Sequence, residues 1–224
     1  MPRPLHCFLI MSVALTLGNL CASAANGGTI FSDFGPGDTY NLAAGPGVGG
    51  SAGAFGVNVL EGAAFTAGLT GTLSEIDAPF FNQGWPGIFN FELHADDGTG
   101  KIGALLESFD NVGPATPAGG IFSVYSSLHP ILTAGSTYWL IATPADTSTA
   151  VYWNENSIPS FGTTYEDVNG TGNYSANSLL PAFRVLGASA VPEPSSLMLG
   201  LAGLVSGGAL LCRIGRQRPG DMIT

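Results

Sequence analysis

Short segments rich in β-branched and aromatic residues, several of them alternating with polar ones, recur along the middle of the chain. Gly, Pro, Asn and Asp separate these segments, as they do between antiparallel strands. The pattern predicts strands at residues 54–59, 88–93, 122–127, 137–142, 150–153 and 182–186. Residues 103–109 fit a helix or a strand equally well, and the repeated amphipathic helices of an α/β fold are not found. We therefore predict an all-β domain of the β-sandwich or jelly-roll type.

The first 24 residues have the pattern of a secretory signal peptide. A basic residue near the start is followed by an almost uninterrupted apolar run at residues 7–22, and residues 22–24 form an A-x-A site. A buried first helix would normally carry a polar stripe, which this run lacks. Cys21 does not fit a lipoprotein signal, because Leu20 precedes it where a small residue is required. We predict export through the Sec translocon and cleavage by signal peptidase after Ala24.

The other end of the chain predicts a transmembrane helix. Residues 195–212 carry no charge, and eighteen residues of α-helix span about 27 Å, close to the roughly 30 Å of a bilayer's hydrocarbon core. Arg213, Arg216 and Arg218 follow, and positive charges after a span favour a cytoplasmic C-terminus. The chain before this span would then lie outside the inner membrane.

A short motif precedes the span and consists of Val191, Pro192, Glu193 and Pro194. Its prolines cannot lie inside a helix, so they separate the span from the folded part. The order of motif, apolar span and Arg cluster over residues 191–218 resembles the PEP-CTERM sorting signal of Gram-negative bacteria that make exopolysaccharide. The resemblance implies recognition by an exosortase, a membrane transpeptidase that cuts near the Pro-Glu-Pro motif. Six residues follow Arg218, a departure from signals that stop soon after the basic cluster.

Between the two ends, residues 25–190 form the predicted exported domain, which is strongly acidic. It holds fourteen acidic residues against Lys101 and Arg184, so its formal charge is −12, compared with −10 for the whole chain. Nucleic-acid binding is not expected, because neutralising phosphates needs clustered Lys and Arg. The domain contains no cysteine and can form no disulfide, although its compartment would permit one.

The order of several segments in this domain resembles that of the choice-of-anchor domains. These segments lie at residues 34–41, 91–98, 103–109, 132–140 and 181–185. Choice-of-anchor domains are β-rich bacterial exported domains whose relatives carry different sorting tails. The resemblance implies a surface protein and says nothing of activity. In its most specific stretch, we expect a turn at Ala134 and Gly135, then a strand with Tyr138 and Leu140 facing one way and Trp139 the other.

No catalytic constellation is found in the domain. Residues 49–53 match G-x-S-x-G, but a nucleophile elbow needs a strand before it and a helix after it, and this match lies in a Gly-rich loop. His94 and His129 are the candidate bases, and we interpret both as structural, His94 beside a turn and His129 before Pro130 in a loop. Paired carboxylates for glycoside hydrolysis depend on a distance in space, so the sequence leaves them open.

Two loops are candidates for binding calcium. Asp96 and Asp97 begin a run that is also typical of a hairpin turn. Asp167 and Asn169 begin a partial calcium loop, with oxygen donors at positions one, three and five and Gly at six. Ser178 stands at position twelve of that loop, where an acidic residue is expected.

Exposed aromatic rings are the other binding signal, because their faces stack on sugars. The candidates are Trp85, Tyr125, Trp139, Tyr152, Trp153, Tyr165 and Tyr174. Trp139 and Trp153 lie in apolar strands, which favours core packing. Trp85 lies between Gly and Pro residues, which predicts a loop, and it is our best candidate for a ligand contact.

These features predict a non-enzymatic surface or extracellular-matrix protein, held at the inner membrane and then sorted to the cell surface or released. It would act in the exopolysaccharide of a biofilm as a structural or glycan-binding module. The alternative is an extracellular glycan hydrolase. We expect no cofactor, apart from the calcium that the two loops could take.

Overall fold

The computed structural model describes residues 28–188, and this part of the chain contains thirteen β-strands. The strands are β1 Gly28–Ser32, β2 Gly47–Gly49, β3 Val59–Thr66, β4 Gly71–Phe81, β5 Phe89–Asp96, β6 Ile102–Val112, β7 Gly120–Tyr125, β8 Ile131–Leu132, β9 Thr137–Pro144, β10 Ala150–Trp153, β11 Phe161–Val168, β12 Thr171–Leu179 and β13 Arg184–Ala188. No helix lies among these residues, and their strands pair antiparallel. The all-β prediction is confirmed.

Several predictions concern residues outside this range. The signal peptide at residues 1–24 and the sorting signal at residues 191–218 lie outside the described residues, and so do the motif and the Arg cluster within the latter. Within residues 28–188, no helix is long and apolar enough to span a membrane.

The strands form one sheet whose longest path runs β1-β13-β4-β10-β2-β3-β9-β5-β6. Outside this path, β11 pairs with β3 and with β12, while β7 and β8 pair with β4. Strand β6 therefore ends the path, and β7 has no strand partner other than β4 in the described part of the chain. These two free edges are the ones that matter for the candidate site below.

Five of the six predicted strands are confirmed, β10 with the predicted ends and four with shifted ends, and the sixth is wrong. Residues 51–57 form turns and bends, so the strand predicted at residues 54–59 is limited to Val59, the first residue of β3. Phe55 accounts for the difference, because its ring packs over two glycines of β2. A methyl group on Gly47 or Gly49 would lie within 2.7 Å of that ring. Residues 103–109, whose sequence fits a helix and a strand equally well, belong to strand β6.

Aromatic side chains fill much of the main hydrophobic core. The ring of Phe80 stacks on Phe89 at 4.0 Å between centroids and on Trp153 at 5.5 Å. Trp153 is fully buried and donates its indole N–H to the carbonyl of Ala182 at 2.9 Å. Its polar atom is thus satisfied, which permits burial. The prediction that Trp153 packs in the core is confirmed.

Strand β9 is buried on both faces. Tyr138 and Leu140 point into the main core, whereas Trp139 points to the other side, as the alternation predicts. Tyr174 of β12 covers Trp139 there, with 5.5 Å between the ring centroids, and its hydroxyl accepts the backbone N–H of Ile102 at 3.3 Å. The β11–β12 hairpin therefore folds across the outer face of β9 and reaches the start of β6. The turn predicted before β9 is also present at residues 134–135.

Candidate functional site

An open cleft lies between β6 and β7, each of which has a free edge here. Residues 109–113, at the end of β6, form one wall, and residues 122–125 of β7 form the other. The cleft has a volume of about 420 Å³. Sites for small ligands enclose about 300–1,000 Å³, so a ligand of a few rings is of suitable size.

The cleft has an apolar floor and a polar rim. Side chains alternate along β7, whereas on β6 the consecutive residues Asp110 and Asn111 are both exposed, because Asn111 has a positive φ. The floor consists of side chains of the main core, namely Phe109, Val112 and Val124. Asp110, Asn111 and Ser123 lie between them in the sequence and are exposed. The side chains of Asp110 and Asn111 make no hydrogen bond to another described residue, so both are available to a ligand.

Tyr125 gives the rim an aromatic face. It is 71% exposed and lies opposite Glu75 in the pairing of β7 with β4. An exposed ring of this kind offers an apolar surface at little cost in conformational entropy. A ring beside carboxylate, amide and hydroxyl groups suits a sugar, whose ring has an apolar face and a polar edge of hydroxyl groups.

Glu107 lies on β6, two residues before the wall of the cleft begins. It is 2% exposed and accepts hydrogen bonds from the hydroxyl groups of Ser126 and Ser127 and from the backbone N–H groups of Ser127 and Leu128. Burial works to raise the pKa of Glu107, but these hydrogen bonds outweigh it and hold the pKa below its usual value. A charged carboxylate therefore ties β6 to the loop after β7 and fixes the spacing of the two strands there.

The free edge of β6 is irregular where it borders the cleft. Asn111 has a φ of 57°, and its backbone N–H donates to the side-chain oxygen of Asn90 at 2.9 Å. Gly113 has a φ of 119°. A regular row of backbone donors and acceptors, which an added strand requires, is interrupted at these two positions.

Trp85, the ligand contact that the sequence favours, is not among the residues that line this cleft. It is 46% exposed on the loop between β4 and β5, and no aromatic ring among the described residues packs against it. The predicted loop position is observed, and a ligand contact at Trp85 stays a prediction. The prediction that Trp139 packs inside the protein is confirmed, since it is fully buried.

Asp96 and Asp97, the first calcium candidates, shape the turn between β5 and β6. Asp96 Oδ1 accepts the backbone N–H groups of Gly98 and Gly100, and Oδ2 accepts the indole N–H of Trp139. Asp97 Oδ1 accepts the backbone N–H of Thr99 at 2.7 Å. The hydrogen bonds from the hydroxyl and N–H of Thr99 lower the pKa of Asp97. The hairpin turn is thus observed, and its own donors use these carboxylate oxygens.

Asp167 and Asn169, the second calcium candidates, lie at the turn between β11 and β12. Asp167 accepts the N–H of Gly170 at 2.6 Å and the hydroxyl of Tyr165 at 3.1 Å. Asn169 has a φ of 53°, and its side-chain oxygen accepts the N–H of Asn58 at 3.0 Å. As in the turn between β5 and β6, the side-chain oxygen atoms in the turn between β11 and β12 accept hydrogen bonds from the protein itself. Within residues 28–188, no group of three His, Cys, Asp or Glu is placed to hold a metal ion.

The candidate catalytic residues of the sequence do not come together. His94 Nε2 lies 3.0 Å from Glu92, and Nδ1 lies 3.2 Å from the carbonyl oxygen of Gly103. The hydrogen bond to Glu92 raises the pKa of His94. Ser51, in the G-x-S-x-G match, lies in a turn after β2 with no helix following it. His129 Nδ1 lies 3.1 Å from the carbonyl of Leu73.

A pair of carboxylates that sequence reasoning missed lies on β3 and β11. Glu61 faces Glu166 directly in the pairing of these strands, and Glu61 is 7% exposed. Burial, and then the charge of Glu166, raise the pKa of Glu61 to about 8. No short motif marks such a pair, because the two residues are far apart in the sequence. A carboxyl group that keeps its proton at neutral pH has the property of a general acid.

Comparison with known proteins gives no relative. No family model matches the chain, and neither the curated proteins nor the solved structures include a match. The site must therefore be interpreted from its own geometry.

Proposed function

We propose that this is an exported, exosortase-sorted surface or extracellular-matrix protein whose β domain binds glycan in the β6–β7 cleft without catalysing a reaction. The signal-peptide pattern at residues 1–24 supports export through the Sec translocon. The likeness of residues 191–218 to PEP-CTERM signals supports transient anchoring in the inner membrane, processing by an exosortase and a final place at the cell surface or outside it. Such a protein would belong to the exopolysaccharide of a biofilm.

We further propose that the domain is a β-sandwich of the jelly-roll kind. The β11–β12 hairpin lies over the outer face of β9, where Tyr174 covers Trp139. A second layer on one face of an antiparallel sheet supports this arrangement. The resemblance to the choice-of-anchor domains supports it as well, and it favours a surface protein over an enzyme.

The observation that carries the glycan proposal is the position of Tyr125. Its exposed ring stands on the rim of a cleft whose floor is apolar and whose other rim groups are Asp110, Asn111 and Ser123. An aromatic face with several hydrogen-bonding groups beside it matches the two kinds of surface that every sugar ring presents.

A glycan array with variants at Tyr125 tests this proposal. The full-length protein should bind a subset of glycans, Tyr125→Ala should lose at least tenfold in affinity, and Tyr125→Phe should stay within about threefold, because its ring remains. Phe161→Ala is the matched control, since Phe161 is 60% exposed on β11 and is not part of the cleft. Equal binding by Tyr125→Ala and Phe161→Ala would reject the cleft as the site.

The sorting part of the proposal needs its own experiment. The mass of the protein from cells should correspond to loss of residues near the Pro-Glu-Pro motif, whereas Pro192→Ala with Pro194→Ala should leave the C-terminus intact. An unchanged C-terminus in the unmodified protein would count against processing.

An extracellular glycan hydrolase is the second candidate, and the carboxylate pair favours it. Glu61, with its raised pKa, would donate a proton to the leaving oxygen, and Glu166 would act as nucleophile or base. A broad glycosidase assay separates the two functions. Turnover that Glu61→Gln abolishes would establish the hydrolase, and absence of turnover in a protein that binds glycan would reject it.

A further inference from the structure

Carboxylates outnumber basic groups near the cleft. Asp110 lies on its rim, and Glu107 lies on β6 two residues before the cleft wall, where it accepts the hydroxyl of Ser126. Behind the β7 wall, Asp77 accepts the hydroxyl of Ser123, and Glu75 lies opposite Tyr125 on β4. A bound ligand would therefore meet negative charge from both walls.

The two basic residues of the described part do not offset this charge at the cleft. Arg184 donates to Asp77 at 2.7 Å and to Asp38 at 2.9 Å, so two carboxylates already neutralise its guanidinium group. Lys101 lies over the ring of Tyr174, 5.8 Å from its centroid, just before β6 begins. Eight residues separate Lys101 from the cleft wall, about 26 Å along a strand. This exceeds the Debye length of about 8 Å at physiological salt, so its charge is screened at the cleft.

From this distribution of charge we infer that the cleft binds an uncharged segment of polysaccharide and excludes polyanionic glycans. The inference rests on the proposed glycan binding and specifies its ligand. Neutral sugars donate hydroxyl hydrogens to carboxylates such as that of Asp110, and these charge-assisted bonds are stronger than bonds between neutral groups. A uronate or sulfate at the same place would face Asp110 and Glu75 without a free positive group to pair with, because Arg184 behind β7 is already paired with Asp77 and Asp38.

An extended peptide is not the ligand that this cleft fits. A peptide adds to a sheet edge through a continuous ladder of backbone hydrogen bonds. The positive φ of Asn111 and of Gly113 breaks that ladder on the β6 side, and the Asn111 N–H is already bonded to Asn90. A glycan needs no such ladder, because side-chain groups of the rim reach its hydroxyls.

Binding of matched neutral and anionic oligosaccharides tests the inference. The full-length protein is titrated at 150 mM salt with oligosaccharides of cellulose and laminarin and with alginate and polygalacturonate oligosaccharides of equal length. We expect at least one neutral series to bind at least tenfold more tightly than either anionic series. Asp110→Lys should reduce the logarithm of the ratio of neutral to anionic affinity by at least half. This reduction should be larger at low salt.

Glu155→Lys is the matched control, because it makes the same change in net charge outside the cleft. It should keep the preference of the unmodified protein. If the anionic series bind as tightly as the neutral ones, or if Glu155→Lys acts as strongly as Asp110→Lys, the charge inference is overturned while glycan binding stands. If no series binds, the proposed function and this inference both fail.

Discussion

Two hydrogen bonds join Asp33 and Phe183. The backbone N–H of Asp33 donates to the carbonyl of Phe183 at 3.2 Å, and the N–H of Phe183 donates to Oδ1 of the Asp33 carboxylate at 2.8 Å. The other carboxylate oxygen, Oδ2, is buried and has no partner within residues 28–188. Burial raises the pKa of Asp33 to about 7, although the backbone N–H groups of Phe183 and of Asp33 itself, which hydrogen-bond to the carboxylate, act to lower it.

Stability should therefore fall as the pH rises from about 4 to about 7. The folded protein keeps the Asp33 proton to a higher pH than the unfolded chain, whose value is 3.8. The stabilisation is complete below the unfolded value and is lost as the pH rises through the folded one, by at most about 4 kcal/mol. Melting of Asp33→Asn between pH 5 and pH 8 should show a shallower fall than melting of the unmodified protein.

Glu61 contributes to the remaining slope in that experiment, because its pKa of about 8 is also raised. Asp33→Asn combined with Glu61→Gln should have a shallower slope than either single variant, and the slope that remains should include His94, whose pKa is raised as well. Asp110→Asn, at an exposed rim carboxylate, should keep the full slope. The same slope for Asp33→Asn and the unmodified protein would contradict the assignment of the proton to Asp33.

Loss of the Glu107 carboxylate should destabilise the domain strongly. Glu107→Ala leaves the donors of Ser126, Ser127 and Leu128 without their common acceptor. Hydrogen bonds to a charged group contribute about 1.5–3 kcal/mol each, and partial replacement by water leaves an expected net loss of about 2–4 kcal/mol. Urea denaturation measures this loss. Glu92→Ala, which removes a half-exposed partner of His94, should cost less than about 1 kcal/mol, and equal costs would contradict the account.

Tryptophan fluorescence can test whether Tyr174 of β12 packs over Trp139. In a Trp85→Phe background, the remaining tryptophans are fully buried, so emission should be blue-shifted and poorly quenched by acrylamide. Adding Tyr174→Ala uncovers Trp139 and should shift the emission to the red and raise quenching at least twofold. Tyr125→Ala in the same background is the control and should change neither. An unchanged spectrum in Tyr174→Ala would mean that the hairpin does not cover Trp139 in solution.

Calcium removal should leave the melting temperature unchanged within about 1 °C. The carboxylate oxygens of Asp96, Asp97 and Asp167 already accept hydrogen bonds from their own turns or from neighbouring side chains. Calcium would have to displace these donors to bind. Melting curves with excess calcium and with chelator test this, and a stabilisation by calcium of several degrees would show that one of the turns rearranges to bind it.

The alternation of apolar and polar residues predicts β5, whose buried and partly exposed side chains alternate. The β-branched and aromatic residues of β9 and β10 predict these two strands, because most of their side chains are buried. The alternation does not predict β4, where Asp77 is buried within the strand by its ion pair with Arg184, a residue 107 positions away. Pro79 lies in the same strand, and a proline in the sequence counts against predicting a strand there. These features are satisfied only by partners that the fold brings together.

The β11–β12 hairpin was missed for a different reason. Its Thr, Asn and Gly residues are typical of a loop, and nearly all of β12 is exposed. The hairpin is held instead by a few aromatic contacts, such as that of Tyr165 with Tyr174 at 4.8 Å between centroids. Local sequence carries little information about a strand whose stability comes from contacts of this kind.

The cleft could not be predicted as a whole from the sequence, because its walls come from strands that are not paired with each other. The exposed aromatics were a usable signal, since Tyr125 was among the candidates. The preference for Trp85 came from its glycine- and proline-rich flanks, which indicate a loop but carry no information about a neighbouring cleft.

Amide chemical-shift mapping tests the central claim most directly. On titration of the protein with the neutral oligosaccharide that binds best, we predict that the largest shift changes fall on residues 109–113 and 122–125, with small changes at Trp85 itself. Shift changes centred on Trp85, or spread evenly with none concentrated in the cleft, would contradict the assignment of glycan binding to the β6–β7 cleft.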